Sequence, residues 1–195
     1  MNVPNALTLS RLVLAFAFIP MLLLPLPYFK TLALITFAVA GITDYLDGYL
    51  ARTVYGTTPF GALMDPLTDK VMVCAAFVTF VELQLVRAFV VVVIIAREFM
   101  VTGLRLLALN KGQVIAAGKW GKHKTIWQIV AIVVILLGLA IRDDFLGSAN
   151  AGFLADYNRV FGWLAQVISI LVAIVTVGSG MMYMHEHRHT IFQEP

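Results

Sequence analysis

The chain has 195 residues, 61% of them hydrophobic and only 13% charged, with a mean hydropathy of +0.90, whereas an ordinary soluble domain is about a quarter charged. That composition excludes a water-soluble globular domain and predicts an integral membrane protein. The formal net charge of +3 is a topology signal that also suits anionic lipid headgroups, with no nucleic-acid partner expected. The lone cysteine, Cys74, excludes an internal disulfide and any Cys-based zinc site.

Six apolar stretches follow one another: Leu7–Leu24, Thr31–Leu50, Gly61–Leu83, Arg87–Ala108, Lys122–Ile141 and Gly162–Met184. Each comes close to the roughly 20 residues that cross a hydrocarbon core of about 30 Å. Lipid tolerates only helices or closed barrels, so the expected architecture is all-α, a polytopic membrane protein with six transmembrane helices in a single domain, 1–195. No small-residue cleavage site follows the first stretch, which is expected to be a retained helix. The longest less apolar pieces are NKGQVIAAGKWGKHK and RDDFLGSANAGFLADYNR. The C-terminal HEHRHT holds three of the four histidines and is expected to fix the last helix at the interface.

Basic residues set the orientation. With a cytoplasmic N-terminus, Arg11, Arg52, Lys70, Arg105, Lys111, Lys119, Lys122, Lys124 and Arg188 lie at or near cytoplasmic ends, while Lys30, Arg87, Arg142 and Arg159 lie outside. The imbalance predicts both termini inside.

Where the second stretch ends and the third begins, four of the chain's eleven acidic residues fall within 26 positions. Asp44 and Asp47 are i and i+3, and Asp65 and Asp69 are i and i+4, so on helices each pair shares a face. Antiparallel neighbours joined by a turn would bring all four to one depth, just inside the cytoplasmic interface. Gly48, Ala51 and Gly61 lie on the same faces and leave room beside the carboxylates. Four clustered carboxylates raise one another's pKa unless a cation compensates them, and an all-oxygen set selects a hard divalent ion such as Mg²⁺ or Mn²⁺. Taken singly, Asp65-Pro66 also fits a helix cap, and Asp44 and Asp47 fit polar residues at a helix end. Ionisable groups near a bilayer are costly without a function.

Asp44, Asp47, Gly48, Ala51, Arg52, Gly61, Asp65 and Asp69 match the pattern D-x2-D-G-x2-A-R-x8-G-x3-D-x3-D at every fixed position. In this the chain resembles the CDP-alcohol phosphotransferase family. NVPNALTLSR at the start, AREFMVTGLR in the fourth stretch and AAGKWGKHKT leading into the fifth look like a bacterial branch that uses glycerol 3-phosphate. The resemblance implies the CDP-alcohol phosphotransferase fold with six transmembrane helices, a homodimer, and a site at the cytoplasmic face of a bacterial inner membrane. The implied reaction transfers a phosphatidyl group from CDP-diacylglycerol to an alcohol and releases CMP. By the same resemblance two divalent ions are held by Asp44, Asp47 and Asp65, with Asp69 as general base that also touches a metal. Gly48 and Ala51 would accommodate the cytidine, Arg52 would hold the donor phosphates, and Gly61, Asn5, Thr8 and Arg11 would border the donor. A helix cap plus an interfacial arginine explains Asn5, Thr8 and Arg11 as well.

The acceptor is read from the remaining cations. Arg97 and Arg105 are eight apart on the fourth stretch, and Lys122 and Lys124 stand at the entrance of the fifth. Guanidinium and ammonium groups beside a metal site suit a phosphate-bearing acceptor, which favours glycerol 3-phosphate over serine, choline or ethanolamine; Thr43 could add a hydroxyl. Arg97 could instead pair with a helix-packing carboxylate, Glu98 of another subunit or an aspartate of the cluster, and the lysines could serve topology alone. Inositol phosphate or phosphatidylglycerol as acceptor is the alternative within the family. A divalent-cation or proton transporter is the alternative outside it, and would show acids near the midplane or paired broken helices; the sequence has neither.

Overall fold

The computed structural model describes residues 3–50, 59–110, 119–147 and 150–186, with side chains described at 9–43, 68, 70–106, 124–147 and 150–186. Six helices account for nearly all of these: α1 (Val3–Leu23), α2 (Phe29–Leu50), α3 (Pro59–Glu82), α4 (Ala88–Asn110), α5 (Lys119–Ala140) and α6 (Ala151–Glu186). Each expected apolar stretch lies within or almost within one of them. No strand occurs among the described residues. The chief difference from the sequence expectation is α6, which begins eleven residues before Gly162. Its 36 residues make a rod of about 54 Å at 1.5 Å per residue. The segment between α5 and α6 is ordered as well, with a π-helical turn at Ile141–Phe145.

Among the described residues two helical segments are long and apolar enough to cross a membrane, Lys124–Phe145 and Ala151–Glu186, and two shorter apolar ones are Leu9–Leu23 and Phe29–Thr43. Phe16, Phe89, Val160, Trp163, Ile174 and Met181 each leave more than half of their surface exposed, an outward apolar coat that water would not tolerate at this density. Inside, α1 packs along α2 and α3, α2 along α5, and α6 along α4 and α5. Phe18, Leu22, Phe77, Phe80, Ile94, Ile135 and Leu139 are fully buried. Phe77 and Phe80 meet edge to face at 6.2 Å, the arrangement that ring quadrupoles favour.

Short connections set the antiparallel order. After α3, Gln84 adopts φ 57°, Gln84 N donates to Val81 O and Leu85 N donates to Phe80 O, both at 2.9 Å. This paired closure satisfies the last carbonyls of a helix, and it turns the buried Leu85 and Val86 inward before α4. On α5, a Cβ at Gly138 would lie 2.1 Å from the Phe161 ring, so only glycine lets α5 and α6 approach this closely; Tyr157 adds a 2.9 Å bond to the Gly138 carbonyl.

Candidate active site

The acidic residues take the helical places their spacing requires. Asp44 and Asp47 lie in the last turns of α2, with Gly48, and Asp65 and Asp69 in the first three turns of α3, with Gly61. Asn5 and Thr8 lie on α1 and Lys122 on α5. The side chains of all these residues, and the whole of Ala51 and Arg52, lie outside the described residues. Among the described side chains no three of His, Cys, Asp or Glu gather at a metal-binding distance. The fit of a metal therefore rests on the donor set itself: four carboxylates in two helical pairs, all oxygen, suit a hard divalent cation.

The described part of the site centres on Glu98 of α4. Its Oε1 forms an ion pair with Lys124 of α5, accepts from Arg97 Nη1 at 3.3 Å and accepts from Gln128 Nε2 at 3.3 Å. Its Oε2 lies 4.0 Å from the Lys70 amine of α3. Arg97, Glu98, Lys124 and Gln128 are all at least nine-tenths buried. Among the described side chains three cations thus share one carboxylate, where the low dielectric makes each charge felt most strongly. A cavity of about 150 Å³ opens here, lined by Lys70, Cys74, Glu98, Lys124, Thr125 and Gln128. Lys70 follows Asp69 on α3, which ties this basic cluster to the helix of the aspartates.

Arg97 also donates through Nη2 to Ser179 Oγ of α6 at 2.9 Å. Arg105 stands over the Tyr183 ring, its Cζ 5.4 Å from the centroid, a cation–π distance. The Nε atoms of both arginines are buried without a hydrogen-bond partner among the described residues. Thr43 donates its hydroxyl to Val39 O at 2.7 Å. Arg11 is buried and lines a separate cavity of about 500 Å³ with Phe37, Gly41, Thr68, Met72 and Thr125.

The structure therefore gathers Arg97 and Lys124 around Glu98 of the same chain, whereas Arg11 lines the second cavity and Thr43 bonds within its own helix. Sequence reasoning gave Lys70, Gln128, Ser179, Gly180 and Tyr183 no place in the site and treated Glu98 only as a packing partner for Arg97. A signal existed for two of them: Lys70 adjoins Asp69, and Gln128 lies one turn beyond Lys124.

An all-helical fold with paired aspartates on two successive helices, and a cation cluster joined to the second of them through Lys70, belongs to a defined class. Residues 1–187 match the CDP-alcohol phosphatidyltransferase family, and the chain belongs to that family of transferases. It is 34% identical over 187 residues to the CDP-diacylglycerol–glycerol-3-phosphate 3-phosphatidyltransferase of Haemophilus influenzae, covering 94% of this chain and 91% of that one. It is 41% identical over 148 residues to the protein of the same name from Bacillus subtilis, covering 70% of this chain and 77% of the relative.

Proposed function

We propose that the chain transfers the phosphatidyl group of CDP-diacylglycerol to glycerol 3-phosphate, giving phosphatidylglycerophosphate and CMP, in anionic phospholipid synthesis. One observation carries the choice of acceptor: Lys70, the neighbour of Asp69, shares Glu98 with Lys124 and Arg97, so the helix bearing Asp65 and Asp69 meets a cluster of three cations. A neutral alcohol has no use for such a cation cluster, and a phosphate monoester does. The names of the relatives agree with this acceptor.

In the proposed mechanism the acceptor phosphate binds Arg97, Arg105, Lys122 and Lys124, with Thr43 at the edge of the pocket. Asp69 accepts the proton of the attacking hydroxyl, whose oxygen bonds to the phosphatidyl phosphorus as the bond to the CMP oxygen breaks and CMP leaves with the electron pair. Asn5, Thr8, Arg11, Gly48, Ala51, Arg52 and Gly61 border and orient the donor. Asp44, Asp47, Asp65 and Asp69 would hold two Mg²⁺ or Mn²⁺ ions. Bound there, the ions would neutralise the donor pyrophosphate and stabilise the leaving CMP. The six helices span the cytoplasmic membrane of a bacterium as one domain, 1–195, in a homodimer, with both termini and the site on the cytoplasmic face, so that the acyl chains stay in lipid while the headgroup meets a soluble acceptor.

The test is acceptor choice. Purified protein supplied with CDP-diacylglycerol and a panel of alcohols should release CMP only with glycerol 3-phosphate, and should lose activity in EDTA and regain it with Mg²⁺ or Mn²⁺. Faster turnover with inositol phosphate, serine or glycerol would reassign the acceptor, and full activity without a divalent ion would remove the metal from the mechanism. Arg105→Ala should raise the acceptor KM roughly 10–100-fold, the loss of a charge-assisted phosphate contact, with little change for the donor.

A further inference from the structure

We propose that the C-terminal helix sets the acceptor end of the site: Ser179, Gly180 and Tyr183 of α6 are positioning residues that hold the Arg97 and Arg105 guanidinium groups of α4 where they meet the acceptor phosphate. This rests on the acceptor assignment above and adds three residues of a helix that carries none of the signature.

Ser179, Gly180 and Tyr183 lie within about one turn of α6, on the side that faces α4. Ser179 Oγ donates its only proton to the Thr176 carbonyl at 3.0 Å, so toward Arg97 Nη2, 2.9 Å away, it can act only as an acceptor. The hydroxyl is thereby oriented before the guanidinium arrives. With Nη1 on Glu98 and Nη2 on Ser179, the fork of Arg97 is held at both tips.

Gly180 supplies the room for that pose. A Cβ there would lie 3.0 Å from Arg97 Cγ and 3.2 Å from Arg97 Nε. The Arg97 stem would then have to shift by a few tenths of an ångström while its fork is held at both tips. One turn further on, the Tyr183 ring, 6% exposed, supports Arg105 Cζ at 5.4 Å and leaves the Arg105 nitrogens to other partners. Small and hydroxyl-bearing residues are a common way for membrane helices to pack closely. Packing alone does not explain why this stretch meets the two arginines of α4, nor why each keeps a buried Nε without a hydrogen-bond partner among the described residues.

The experiment measures acceptor KM, donor KM, kcat and thermal stability for Ser179→Ala, Gly180→Ala and Tyr183→Leu, beside the conservative Ser179→Thr and Tyr183→Phe, in the full-length protein in detergent with CDP-diacylglycerol and glycerol 3-phosphate. Ser179→Ala, Gly180→Ala and Tyr183→Leu should each raise the acceptor KM about 10-fold, the scale of one charge-assisted contact, with donor KM and kcat little changed. Ser179→Thr keeps the hydroxyl, Tyr183→Phe keeps the ring, and both should restore the acceptor KM. Arg97→Lys and Arg105→Lys separate this proposal from the one beneath it. If they leave the acceptor KM unchanged, the acceptor assignment fails; if they raise it while the α6 variants do not, the positioning role fails. A parallel loss of donor KM, kcat and thermal stability in the α6 variants, not relieved by Ser179→Thr or Tyr183→Phe, would make α6 a packing element and overturn the proposal.

Discussion

The two ends of the helix bundle use the same residue types to opposite ends. At the end formed by the α1–α2 connection and the π-helical turn, Lys30, Arg142, Asp143 and Asp144 are each closed on a local partner. Lys30, buried in the wall, donates to Leu22 O at 2.6 Å and Leu24 O at 3.0 Å and so caps α1. Asp144 accepts from Thr31 N at 2.7 Å and Thr31 Oγ1 at 2.6 Å, and Arg142 pairs with Asp143. At the other end, Lys70, Arg97 and Lys124 share Glu98, and Arg97 and Arg105 keep a buried N–H without a hydrogen-bond partner among the described residues. Groups that complete one another one to one stabilise a fold; cations gathered on a shared carboxylate can also meet a ligand's charge.

The largest expected effect lies at the open end. Asp69→Asn should lower turnover by about 10²–10⁴, the usual contribution of a positioned general base, while much of the CDP-diacylglycerol binding survives. Asp44→Asn, Asp47→Asn and Asp65→Asn should instead weaken metal and donor binding. Wild-type turnover in Asp69→Asn would show that the aspartate does no chemistry.

Glu98→Ala comes next. It leaves Arg97 and Lys124 buried without their carboxylate, which costs about 3–5 kcal/mol when one partner of a buried pair is removed, so the protein should melt markedly earlier in detergent. A melting temperature equal to wild type would mean that water or lipid already screens the cluster, and the contrast between the two ends would weaken.

Asp144→Ala should break the closed end alone. Losing two charge-assisted bonds to Thr31 should cost about 1.5–3 kcal/mol in thermal stability, with the acceptor KM unchanged. A raised acceptor KM would reveal coupling between the ends that the separate clusters do not suggest.

What the sequence made legible follows from how local each signal is. Apolar runs marked the helices to within a few residues because a long, unbroken apolar run is a property of one segment of chain. The start of α6 escaped because Asp156, Tyr157, Asn158 and Arg159 interrupt the apolar run without interrupting the helix; hydropathy reports what lipid would cover, and α6 extends beyond that. The aspartate pairs could be placed on their helices because i, i+3 and i, i+4 spacing is a property of one helix. The gathering of Lys70, Glu98, Lys124 and Gln128 could not be seen, since it depends on how three helices pack. Ser179 and Gly180 read as ordinary small packing residues until Arg97 is seen to lie against them.

The smallest effect, at the closed end, should come from Arg142→Ala. Arg142 and Asp143 form a close pair, with Nε to Oδ1 at 2.5 Å and Nη2 to Oδ2 at 3.0 Å, yet both lie in the turn between α5 and α6 and stay partly open, their side chains 23% and 30% exposed. Solvent screens such a pair, and holding two side chains in one geometry costs entropy, so pairs of this kind contribute only about 0–1 kcal/mol. Arg142→Ala should therefore change thermal stability by no more than that and leave both KM values alone, and the small change it makes should shrink as salt is raised. A loss as large as that of Asp144→Ala would mean that Arg142 supports the π-helical turn through more than its neighbour, and the closed end would then depend on a network where the geometry shows separate pairs.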